Sequence, residues 1–101
     1  MALSKLQLSK LLSVYGATLT DKQLEIATMY CDCDCSLAEI ADEFGITRQG
    51  VRDAVVKAES ALIKLEDALH LAELCCNLTI ALQSDDTESL KQIAKQFVSK
   101  E

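Results

Sequence analysis

Residues 37–56 read LAEIADEFGITRQGVRDAVV, and the spacing within them decides the fold. Two short helices that cross at a steep angle need a small residue where they touch, and Ala41 supplies it. The turn between them needs a residue that accepts positive φ, and Gly45 stands four positions later. Apolar side chains must bury the corner, and Ile40, Phe44, Ile46, Val51 and Ala54 flank it at the right offsets. Ser36-Leu37-Ala38-Glu39 has the form of a capping box that opens the first helix, and Thr47 caps a second that begins at Arg48. The segment reads as a helix-turn-helix.

Working outward, Leu6, Leu8, Leu11, Leu12 and Tyr15 form an apolar face that ends at Gly16, a plausible helix terminator. Thr20 and Gln23 make a second capping box, opening a helix that carries Leu24, Ala27 and Met29 and fades near Cys31. Beyond the motif, nothing breaks the helical pattern from Arg48 to Gln83. Its apolar stripe runs through Val51, Val55, Ala58, Leu62, Leu65 and Leu69 and on to Ala72, Cys75 and Cys76. One unbroken helix of that length would span roughly 50 Å. It must therefore bend, with His70 as the best position, or pack on a second subunit. Asp85 and Glu88 suit the acidic first turn of a last helix bearing Leu90, Ile93, Ala94 and Phe97.

Composition agrees with this all-α reading. The chain has 101 residues, half of them hydrophobic, with no Pro, no Trp and only three Gly. That is enough apolar material for one packed domain over residues 1–101: a helix-turn-helix core in 1–60 and a helical, dimerising region in 61–101. No apolar run approaches the roughly 18 residues of a membrane span. Lys5 and Lys10 interrupt the N-terminal apolar stretch, so it does not read as an export signal, and a cytoplasmic location is expected. Five Cys cannot all pair within one chain and are expected to be reduced.

The second helix of the motif is the candidate recognition helix, with Thr47, Arg48, Gln49, Arg52, Asp53 and Val56 on its outward face and Lys57 farther along. Gln pairs with adenine, and Arg with guanine or phosphate. Arg48 and Gln49 are thus expected to read bases of double-stranded DNA, with Arg52 and Lys57 on phosphates. Residues 47–57 carry a local charge of +2 inside a protein of −6. The bland alternative is a solvated helix face, since three basic side chains neutralise few phosphates.

The sequence resembles region 4 of bacterial sigma factors over LTDKQLEIATMYCDCDCSLAEIADEFGITRQGVRDAVVKAESAL, and resembles the YlxM family more closely. These are small bacterial helix-turn-helix proteins associated with the signal recognition particle. LLSVYGATLTDKQ, SLAEIADEFGITRQGVRD and KAESALIKLED carry the likeness, which is high over residues 11–69 and weak beyond. It implies a sigma region 4-like core of three to four helices, then a long helix and C-terminal helices. Genes of the family commonly lie beside those of the particle's GTPases, which implies a regulatory or accessory role in protein targeting. Cys31-Asp32-Cys33-Asp34-Cys35 departs from the bulky apolar or acidic residues usual in that loop.

Other chemistries are poorly supplied. The three clustered Cys fall short of the four ligands of a closed zinc site. Cys31 and Cys35 are expected to fill a corner with Cys33 exposed, and Cys75 and Cys76 to pack between helices. His70 lacks a partner nucleophile, and Asp85-Asp86 suits a cap better than an acid–base dyad. No catalytic residue, metal or cofactor is assigned, and the chain does not read as an enzyme. The functional expectation is a transcription-regulating, DNA-binding homodimer. The alternative is a protein- or RNA-interaction module of the signal recognition particle that does not bind DNA.

Overall fold

The computed structural model describes residues 2–98, and they are all-helical apart from turns and loops. The order is α1 (Lys5–Tyr15), a 3-10 turn (Gly16–Thr18), α2 (Asp21–Cys31), α3 (Leu37–Phe44), α4 (Arg48–Leu69), α5 (Leu71–Gln83) and α6 (Thr87–Val98). The chain divides into two compact units, the first ending at Leu69 and the second starting at His70.

Local sequence explains where the helices of the first unit begin. Thr20 and Gln23 satisfy each other's backbone donors at the start of α2, as do Ser36 and Glu39 at the start of α3. A third capping box, Ser4 with Gln7, opens α1 and was not anticipated. α3 ends where Gly45 adopts φ 63°, and its N–H donates to the Ala41 carbonyl. A Cβ there would meet nothing within 4 Å, so the backbone angle, not space, calls for glycine. Gly16 is the opposite case. Its φ is −53°, so it is no left-handed terminator; a Cβ on it would lie 3.1 Å from Leu24 Cδ1. Close approach of α2 explains that glycine.

The core of this unit joins Leu8, Leu12 and Tyr15 of α1, Ile26 and Ala27 of α2, Ile40 and Ala41 of α3, and Val51, Val55, Ala58 and Leu62 of α4. Each fully buried Leu, Ile or Val contributes about 1.5–3 kcal/mol. Leu6 falls outside the expected face and is 67% exposed, because it lies about 200° round the helix from Leu8. Tyr15 donates its hydroxyl proton to Glu66 Oε1 at 2.7 Å, tying α1 to α4. Glu59 is buried, its Oε1 accepting from the Ala2 N–H at 2.7 Å.

The long helical pattern divides at His70, which takes φ 55° and precedes α5. In the second unit, Asp86 rather than Asp85 caps α6. Its Oδ1 accepts from the Ser89 N–H at 3.1 Å and its Oδ2 from the Ser89 hydroxyl at 2.7 Å. Asp85 sits in the turn at φ 51°. Cys75 and Cys76 are exposed on α5, contrary to their expected packing role. Of α5, only Ala81 is buried. The expected placement of Phe97 concerns a side chain outside those described.

Candidate nucleic-acid interface

Gly45 stops α3, and Thr47 starts α4 by accepting the Gly50 N–H at 2.9 Å on its Oγ1. Gly50 makes room for this bond, since a Cβ there would lie 3.2 Å from that oxygen. The turn thus fixes the first turn of α4 against the core through Val51, which is fully buried. Thr47, Arg48, Gln49, Arg52, Asp53, Val56 and Lys57 are all exposed.

Helix geometry sorts these residues further. Val51, Val55, Ala58 and Leu62 define the inward side of α4. At about 100° per residue, Asp53 and Gln49 lie nearest the outward crest, with Val56 about 50° to one side of it. Lys57 lies about 50° to the other side, and Arg52 and Arg48 lie further round on Val56's side, about 90° and 130° from the crest. The crest is therefore polar to neutral with one carboxylate, and the cations stand to either side. Gln49 Nε2 donates to Asp53 Oδ1 at 3.0 Å, one turn along the helix. That pairing was legible as an i,i+4 spacing but was missed.

The neighbouring helix has the opposite charge. Glu39, Asp42 and Glu43 of α3 are exposed. Residues 37–57 together sum to −1, from four carboxylates and three cations.

The Cys31–Cys35 loop is closed by backbone and by its aspartates. The N–H groups of Asp32 and Cys33 both donate to Thr28 O, and Cys35 N–H donates to Met29 O. Lys5 of α1 pairs with Asp34 at 2.6 Å and lies over the Tyr30 ring at 4.9 Å. Ser9 donates to Asp32 at 2.5 Å. Cys31 and Cys35 are half-buried and Cys33 is exposed. Burial, with help from Asp32, pushes the Cys31 thiol up to about 11. Burial and then Glu39 raise Cys35 as well. Both effects oppose the thiolate that metal binding needs. Among the described residues, no three His, Cys, Asp or Glu side chains are grouped to hold a metal ion. None of the described helices is long and apolar enough to cross a membrane.

An all-helical core built around two crossed helices and a left-handed glycine turn defines a helix-turn-helix protein. Residues 3–100 match the family UPF0122, described as "Putative helix-turn-helix protein, YlxM / p13 like", and the chain belongs to that family. It is 39% identical over 93 residues to a UPF0122 protein of Mycoplasma mycoides, covering 92% of this chain and 80% of the relative. A UPF0122 protein of Mycoplasma capricolum gives the same figures of 39%, 93 residues, 92% and 80%. A Streptococcus pyogenes member is 45% identical over 65 residues, 64% of this chain and 58% of its own length.

Proposed function

We propose that the protein is a non-enzymatic DNA-binding regulator that lays α4 in the major groove of double-stranded DNA. One observation carries this reading: α4 exposes Gln49 and Asp53 on its outward crest, with Lys57 to one side and Arg52 and Arg48 further round on the other. A helix in a major groove has base edges before it and a phosphate wall on either side. Arg48 and Arg52 suit one wall and Lys57 the other, which moves Arg48 from base reading to phosphate contact. On the crest, Gln49 would turn from Asp53 to present its amide to adenine. Asp53 would then accept from cytosine N4, and Val56 would touch a thymine methyl.

Three cations give weak binding, and the α3 carboxylates weaken it further. Two copies would double the phosphate contacts, so we place a homodimer in this reading. Val55 and Leu62 of the expected dimer stripe are fully buried in the chain's own core. In the second unit, Ile80 and Leu82 of α5 stay 57% and 66% exposed and are the apolar positions we assign to a second copy.

The test is selection of bound duplexes from a random pool. The reading predicts an enriched sequence, and Gln49→Ala should relax preference at one position by about 1–3 kcal/mol. A pool that yields no enriched sequence contradicts it. Glu39, Asp42 and Glu43 support a second reading, in which the motif is a scaffold for a protein- or RNA-interaction module of the signal recognition particle. Carboxylates beside the recognition helix repel duplex phosphates, and a helix cannot read the narrow major groove of A-form RNA as it reads DNA. Binding to the particle's RNA or GTPase, with none to duplex DNA, would favour this second reading.

A further inference from the structure

α2 and α3 leave between them an open groove of about 400 Å³, lined by Leu24, Glu25, Thr28, Met29, Glu43 and Phe44. It arises from how the two helices spend their apolar residues. α2 buries Ile26 and Ala27, and α3 buries Ile40 and Ala41. Leu24, Met29 and Phe44 remain half-buried between the two helices. Leu24 is held in place by its close approach to Gly16. Met29 adds a flexible thioether, which adapts to varied apolar partners. Glu25 and Glu43 are exposed at the groove.

We propose that this groove docks a helical segment of a partner protein that presents large apolar side chains flanked by Lys or Arg. The apolar lining takes the side chains, and the two carboxylates select the charge beside them. The same carboxylates repel the phosphates of nucleic acid and the headgroups of an anionic lipid surface. No lining residue lies within 47–57, so this surface and the α4 crest can be occupied independently. Failure of either reading leaves the other standing.

The experiment follows the Met29 methyl and Leu24 methyls by NMR during titration with two synthetic amphipathic helical peptides. The peptides share one Leu stripe; Lys flanks it in one and Glu in the other. The Lys peptide should shift the Leu24 and Met29 signals and bind about tenfold or more tightly than the Glu peptide. The double variant Glu25→Lys with Glu43→Lys, confined to exposed positions, should reverse that order. Asp67→Lys, away from the groove, should leave it unchanged. Equal binding of both peptides, or equal loss in Asp67→Lys, would overturn the proposal in favour of diffuse charge attraction. Dilution of the protein alone that moves the Met29 signal would overturn it in favour of a second copy in the groove.

Discussion

The four helices through Leu69 and the two helices after it use similar residues to different ends. In the first unit, every α-helix buries at least two apolar side chains, and the largest of them are fully enclosed. In the second, α5 reads LAELCCNLTIALQ with Glu73 as its one charged residue, yet it encloses only Ala81. The first unit fixes the pose of the α4 crest. The second holds apolar surface in reserve. In the proposed dimer, the exposed apolar positions of α5 serve association, whereas the helices completed by their own chain serve positioning.

The largest effect expected from this contrast comes from trimming one Leu in each unit. Leu62→Ala should cost about 2–5 kcal/mol in urea unfolding, because it leaves a cavity in an enclosed site. Leu82→Ala, at a 66% exposed position, should stay within about 0.5 kcal/mol. It should weaken self-association instead, read by sedimentation across a concentration series. A monomer at every concentration would remove the dimer from the account. Comparable destabilisation by both substitutions would erase the contrast between the units.

Gly45→Ala comes next. The left-handed backbone there should make it cost roughly 1–2 kcal/mol, although the space is open. Calorimetry should show a lowered melting temperature, and a neutral result would mean the turn rearranges freely. Ser36→Ala, which deletes the cap of α3, should cost about 1 kcal/mol. Amide exchange in α3 reads this locally, and unchanged protection would deny the cap its role.

The smallest effect is a pH dependence at the cysteine loop. Hydrogen bonding and charge from Lys5 hold the Asp34 carboxyl below its usual 3.8, and the same bond raises Lys5 above 10.5. The carboxylate's contribution is complete above pH 3.8 and disappears as pH falls through the lowered value. The lysine's contribution is complete below pH 10.5 and disappears as pH rises through the raised value. Both groups are exposed, so the effect is small and screened by salt. Asp34→Asn should slightly flatten the acid limb of the unfolding midpoint against pH. An unchanged acid limb would leave the pair without a thermodynamic role.

Much of this architecture is legible in the sequence because it rests on local rules. The capping boxes at Thr20 and Ser36 and the glycine turn at Gly45 need only neighbours within four residues to specify them. Ser4 and Gln7 carry the same signal, set directly before the apolar face of α1. Gly16 shows the limit of such rules, since its reason is a contact with Leu24 in another helix. Cys75 and Cys76 show a second limit. Periodicity says that a stripe is apolar, but not whether the chain has a surface left to cover it. The α4 site was legible as a set of outward residues; sorting it into crest and flanks required the buried face of α4, which only packing defines.

The most direct test of the α4 reading is a salt titration of binding to duplex DNA, comparing the unmodified protein with Arg52→Ala and Lys57→Ala. Each lost phosphate contact should reduce the slope of log K against log salt by about 0.9 per subunit engaged. Both variants should weaken all sequences alike, with the helical circular dichroism unchanged. Binding in low salt with slopes that drop in both variants is the predicted result. Absence of binding at low salt, or slopes untouched by either substitution in a folded protein, would contradict it.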